Sequence, residues 1–196
     1  MVEPRRSGTG KGRGQTFGLL LTIVAACILS VTYVDIRALA LSEEGTGGPM
    51  VADFTLKTVE GGIFRLSEHR GKVVIVDIMM VSCQACRYQS ENLSMLQDTF
   101  SGTGEGDRPV IVSIDIFDYD TDGMLFEYKN ETGGQWPHAI DSYDEAQLSL
   151  MPETIDPAVM VSLPVVKVID RDGRLFADFV GVTPASTLVG MVRAAQ

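Results

Sequence analysis

Lys72-Val73-Val74-Ile75-Val76-Asp77-Ile78-Met79-Met80-Val81-Ser82-Cys83-Gln84-Ala85-Cys86 decides the fold. Residues 72–81 are apolar and β-branched apart from one lysine and one acid, the pattern of a strand buried on both faces. The segment that follows reads as a helix to Phe100, with Leu93, Leu96 and Phe100 on one side. The two thiols therefore fall at a strand-to-helix turn, with Cys83 at the helix N-terminus. Free backbone N–H groups and the positive end of the helix dipole favour a thiolate there. A thiolate beside a second thiol can attack a disulfide, form a mixed disulfide and be displaced by its neighbour. Half a zinc site is the competing reading, but zinc needs two more ligands. The other cysteine, Cys27, lies in an apolar segment, and His69 and His138 have no ligand spacing. A structural staple is the other competitor. So short a loop adds little stability, so redox work is the better reading of the pair.

Working outward, the first 48 residues stand apart from a domain at 49–196. Residues 1–16 are Gly-rich and carry Arg5, Arg6, Lys11 and Arg13 against Glu3, a composition expected to be disordered. Residues 17–34 have no charge and would rise about 27 Å as a helix, enough to cross a bilayer core. The basic flank predicts a cytoplasmic N-terminus and an extracytoplasmic domain. Residues 35–48 read as a linker. Two cleavage readings compete with an intact anchor: Ala38-Leu39-Ala40 fits a signal-peptide site, and Val24-Ala25-Ala26-Cys27 resembles an acylation box. Arg5-Arg6 lacks the apolar residues of a twin-arginine signal. Every one of these readings puts the domain outside the cytoplasm, where disulfides persist.

The chain carries −10 overall, with five Lys/Arg and two Asp/Glu in residues 1–40; that +3 leaves −13 for residues 41–196. So acidic a domain excludes nucleic acid as a partner.

Within the domain, Asp53-Phe54-Thr55-Leu56 and Ile63-Phe64-Arg65-Leu66 read as a hairpin around Gly61-Gly62, and Ser67 reads as the cap of a helical turn. Residues 109–115 are a second buried strand. A helix is expected from Thr121-Asp122-Gly123 to Gly133-Gly134, a short strand over 136–140 and a short helix over 144–151. Residues 164–170 and 175–180 form a hairpin around Arg171-Asp172-Gly173-Arg174. Thr183-Pro184 reads as the N-cap and first turn of a last helix, with Leu188, Val189 and Val192 on its apolar side. Strands alternating with helices and a closing hairpin predict an α/β fold around a mixed sheet.

These residues resemble the thioredoxin-like superfamily, in its membrane-anchored TlpA/ResA-like branch of the AhpC/TSA-redoxin type. The resemblance covers residues 49–196. It rests on Asp53-Phe54-Thr55-Leu56, Gly61-Gly62, Leu66-Ser67 and Arg70-Gly71-Lys72 before the strand, on the Cys83/Cys86 spacing, and on Leu163-Pro164, Asp172-Gly173 and Val180-Gly181. Ser82 stands where the family usually has Trp, and Gln84-Ala85 replaces the frequent Pro. The resemblance implies a thioredoxin fold with an N-terminal hairpin and a strand–helix insertion supplied by residues 107–136. It implies a thiol–disulfide oxidoreductase acting on protein disulfides, without a cofactor or metal, and recharged by an upstream membrane electron donor. Cys83 would attack and Cys86 would resolve. Asp77, six residues before Cys83, would be a buried proton-transfer group. Leu163 and a cis Pro164 would present backbone to the substrate.

Two other classes share the fold. A Sco-like copper chaperone places three residues between its cysteines and adds a histidine near the Pro164 strand; here two residues intervene and Ser162-Leu163-Pro164 contains no histidine. A thiol peroxidase needs Thr and Pro ahead of the cysteine, and Val76 to Ser82 contains neither. Arg87 reads as a solvated helix residue or a source of positive potential at the site, His138 as a packed or surface side chain, and Met79 and Met80 as core packing.

Overall fold

The computed structural model describes residues 48–117, 119–141 and 163–196. Strands β1 (Thr55–Lys57) and β2 (Ile63–Arg65) pair antiparallel around a turn in which Gly61 takes a φ of +85°. β3 (Val74–Met79) is buried along its whole length, as its near-continuous apolar run requires. It leads into α1 (Gln84–Phe100), which crosses back to β4 (Val110–Asp115). Next come α2 (Asp122–Thr132) and β5 (His138–Ile140). β6 (Val165–Ile169), β7 (Leu175–Val180) and α3 (Ala185–Ala194) close the chain.

The main sheet runs β5-β4-β3-β6-β7. β3 is parallel to β4, and β4 to β5, while β6 is antiparallel to both β3 and β7. The mixed sheet is the one expected from the order of elements. Its two sides bury different partners. Ile75 packs in a cluster with Leu93, Leu96 and Phe100 of α1 and Leu188 and Val192 of α3. Val74, Val76 and Ile78 sit instead with Phe54, Leu56 and Phe64 of the hairpin. Successive side chains alternate across a strand, so Asp77 points to the side bearing α1.

Helix ends follow local chemistry at α2 and side chains of distant elements at the 3-10 turn and at α3. At α2 the Thr121 hydroxyl accepts the Met124 N–H (3.3 Å), and Gly133 closes the helix in the left-handed region at φ +72°. Ser67 is not a cap. It lies inside a 3-10 turn (Leu66–His69), and its own N–H and hydroxyl donate to the Asp53 carboxylate at 2.8 and 2.7 Å. Thr183 is not a cap either. The N-cap of α3 is Pro184, and the Ala185 N–H donates to Asn92 Oδ1 of α1 at 2.9 Å. Proline has no side-chain acceptor, so the neighbouring helix supplies one.

Among the described residues no helix is long and apolar enough to cross a membrane. The expected tail at 1–16, span at 17–34, most of the linker at 35–48, Cys27 and the short helix at 144–151 lie outside those residues.

Candidate functional site

Strand β3 ends beneath the turn that carries the thiols. The Val81 N–H is offered to two carboxylates, Asp115 Oδ2 and Asp120 Oδ2, each at 3.2 Å. Asp115 is buried, and burial together with the neighbouring Asp120 charge pushes its carboxyl above the ordinary range. The sequence reading singled out neither acid, although Asp115 is the one acidic side chain in the apolar strand β4.

Cys83 is the N-cap of α1, in extended conformation, and is joined to Cys86 by a disulfide. The Cys86 N–H points at Cys83 Sγ across 3.1 Å, so a free helix-terminal donor faces the sulfur. Cys83 is half-buried and Cys86 is fully buried. The first sulfur is thus the accessible one and carries the dipole and N–H stabilisation, while the second lies a turn deeper. Ser90 donates its hydroxyl to the Cys86 carbonyl at 3.3 Å and also meets the Tyr128 hydroxyl at 3.0 Å, which ties α1 to α2 behind the pair.

The Leu163 carbonyl oxygen lies 3.9 Å from Cys83 Sγ. The Leu163–Pro164 peptide bond is cis, and Gly181 donates its N–H to the Pro164 carbonyl at 2.7 Å. Gln89, buried in α1, accepts the Thr183 N–H at 2.7 Å. The loop before α3 is therefore fastened both to Pro164 and to the helix that carries the cysteines.

Asp77 has no solvent exposure. Burial pushes its carboxyl up to about 7, against a smaller lowering by the hydroxyl of Ser113, which bonds Oδ2 at 2.8 Å. Oδ1 has no hydrogen-bond partner among the described residues. Arg87 makes an ion pair with Glu131 at 2.8 Å and lies over the Tyr128 ring, so its charge is partly compensated. His138 is fully buried and packed: its ring stacks on Trp136, and burial pushes it down to about 4. Met79 is core and Met80 is half-exposed, so the adjacent pair splits between environments. Among the described residues no three Cys, His, Asp or Glu side chains are grouped to hold a metal ion.

No family model matches the chain, and no curated protein matches its sequence. Solved structures do match its fold. A thiol:disulfide interchange protein of the thioredoxin family from Chlorobium tepidum TLS superposes with a TM-score of 0.63 at 21% identity, covering 78% of this chain and 98% of that one. A secreted thiol-disulfide isomerase from Corynebacterium glutamicum gives 0.62 at 19% identity, covering 78% and 95%. BsSco, a cytochrome c oxidase assembly protein of the Sco family, gives 0.59 at 17%, covering 76% and 94%. Likenesses at these identities establish a thioredoxin-like fold.

Proposed function

We propose that this chain is a thiol–disulfide oxidoreductase of the membrane-anchored thioredoxin-like branch, held at the cell membrane by residues 17–34 and working outside the cytoplasm as a reductant of protein disulfides. The observation that carries the reading is the asymmetry of the pair: a half-exposed Cys83 at the helix N-cap, disulfide-bonded to a fully buried Cys86.

In the reduced chain the Cys83 thiolate attacks one sulfur of a substrate disulfide. A Cys83–substrate disulfide forms, and the other substrate sulfur leaves as a thiolate and takes up a proton. Asp77, as carboxylate, accepts the Cys86 proton. Cys86 then attacks Cys83 Sγ, the second substrate thiolate leaves, and two electrons have passed to the substrate. The Leu163 backbone, beside Cys83 Sγ, supplies an edge against which an extended substrate segment can pair. A membrane dithiol donor returns the chain to its reduced form. Reduction is favoured over strong oxidation because Gln84-Ala85 supplies no histidine to stabilise the Cys83 thiolate further.

The test is kinetic trapping. Cys86→Ser is expected to accumulate mixed disulfides through Cys83, and Cys83→Ser to accumulate none. Preferential alkylation of Cys86 in the reduced protein would reverse the roles. A Cys83–Cys86 reduction potential near about −270 mV supports the reductant, and one near about −120 mV rejects that direction.

A further inference from the structure

Asp77, Ser113 and His138 lie side by side across three strands, for Asp77 is the register partner of Ser113 and Ser113 that of His138. The row is closed from the side by Trp136, whose indole N–H reaches Ser113 Oγ at 2.9 Å. Ser113 Oγ in turn is 2.8 Å from Asp77 Oδ2. All four residues are buried. We propose that Trp136 and Ser113 form a one-way hydrogen-bond relay that fixes Asp77 so that its unpartnered Oδ1 is the atom that takes the Cys86 proton. This rests on the reading of Asp77 as the base for Cys86.

The direction of the relay follows from donor and acceptor inventory. An indole N–H can only donate, so Ser113 Oγ must accept from it. The single hydroxyl hydrogen of Ser113 is then left for Asp77 Oδ2. That hydrogen takes up one lone pair of Oδ2 and makes it the less basic oxygen. Oδ1 has no hydrogen-bond partner among the described residues, so both its lone pairs are open to a proton. The two oxygens of one carboxyl thus have separate tasks: Oδ2 is held, and Oδ1 exchanges.

Trp136 is itself pinned. Its carbonyl accepts from Lys129 Nζ at 3.0 Å and from His138 Nδ1 at 3.0 Å, and the His138 ring stacks on the indole at 5.7 Å between centroids. A carbonyl can only accept, so His138 carries a proton on Nδ1; burial, which pushes its pKa down to about 4, keeps the ring neutral and a second charge out of the row. The other titratable groups around Asp77 are Tyr128 from α2, which feels the charges of Asp77 and Asp115, and Asp115 two residues along β4 from Ser113. β6 presents only Val166 opposite Asp77, and α3 contributes Leu188 and Val192 to that side. Trp136 comes from the loop between α2 and β5, and His138 is the first residue of β5. The edge strand and the loop before it therefore supply Asp77 with its anchor.

The experiment uses the oxidised protein to titrate the Asp77 carboxyl by isotope-edited infrared spectroscopy. It also follows resolution of a Cys83 mixed disulfide, made with a small peptide disulfide, across pH. Ser113→Ala removes a hydrogen bond made to the charged form. It is expected to raise the Asp77 pKa by about one unit and to slow resolution near pH 7 by about fivefold, with the pH midpoint moved up equally. Trp136→Phe, which frees the hydroxyl to turn, is expected to shift both in the same direction by less. Ser113→Thr keeps the hydroxyl and is expected to restore both. An unmoved carboxyl pKa in Ser113→Ala and Trp136→Phe overturns the proposal and places the fault in the relay. A moved pKa with an unmoved resolution profile also overturns it, and places the fault in the reading of Asp77 as the base. A merely structural serine would lower stability without moving either midpoint.

Discussion

Replacing Asp77 by asparagine isolates the free energy stored in one buried carboxyl. In the folded chain its pKa is about 7, and in the unfolded chain it returns to the ordinary 3.8. The folded state therefore holds the proton more tightly than the unfolded state does. As pH rises above 3.8 the unfolded chain ionises freely while the folded chain cannot, so stability falls until the folded carboxyl also ionises near 7, and is flat above that. The interval is about 3 pKa units, or about 4 kcal/mol at roughly 1.4 kcal/mol per unit. Asparagine carries no such dependence. Its carbonyl can still accept from Ser113, but its amide would sit where Oδ1 has no acceptor, at a cost of about 1–3 kcal/mol. Asp77→Asn is thus expected to be less stable than the parent by that amount near pH 4 and more stable by about 1–3 kcal/mol near pH 8.

The swing of about 4 kcal/mol between the two pH values is the sharper quantity, because the amide cost is the same at both and cancels. Urea unfolding of the oxidised proteins at a series of pH values measures it, with the denaturant slope held as a check that the unfolded states match. Stability curves that run parallel for parent and variant would refute the reasoning, since they would mean that Asp77 ionises as freely in the fold as in the unfolded chain. The same raised pKa has a kinetic meaning. A carboxyl half-ionised near neutral pH can accept a proton in one half of the cycle and return it in the other.

Two further outcomes are expected. In Gly134→Ala the new Cβ would lie 2.7 Å from His138 Cε1, so the stacked pair must shift; a loss of about 1–3 kcal/mol is expected, with a red shift in the emission of Trp136, the chain's single tryptophan, and an unchanged spectrum and unfolding midpoint would show that the site tolerates the methyl. For the anchor, N-terminal sequencing of protein extracted from membranes is expected to find residues 17–34 intact, and a mature start after residue 40 or at an acylated Cys27 would reject an uncleaved span.

Local patterns carried the reading wherever the cause was local. The run before Cys83 could only be a central strand, because an apolar β-branched stretch that long needs cover on both sides. Thr121 and Gly133 bracket α2 as their own chemistry dictates, and Gly173 turns the β6–β7 hairpin at a φ of +87°. The same local logic misplaced Ser67 and Thr183. Both are good capping residues, but the partners that decide their roles, Asp53 and Gln89, lie 14 and 94 residues away. A propensity cannot see an acceptor delivered by another element.

The surroundings of Asp77 show the same boundary from the other side. Asp77 stood out because a lone acid in a buried strand must be either satisfied or perturbed; Oδ2 is bonded, Oδ1 is not, and the carboxyl is perturbed. Ser113 and Asp115 raise the same question in β4, and the answer to each depends on register. Parallel strands joined by a long helical crossover have no turn to fix their alignment, so which residue of β4 lies beside Asp77 is set by packing alone. Once Ser113 is beside Asp77, chemistry narrows quickly. A hydroxyl with one hydrogen can serve the acid only if something else fills its acceptor side, and Trp136 is the donor that does so. The indole must in turn be held, and a histidine kept neutral by burial holds it without adding charge. Two atoms of the series are left without a partner among the described residues, His138 Nε2 at one end and Asp77 Oδ1 at the other, and the second is the one the proposed proton transfer uses.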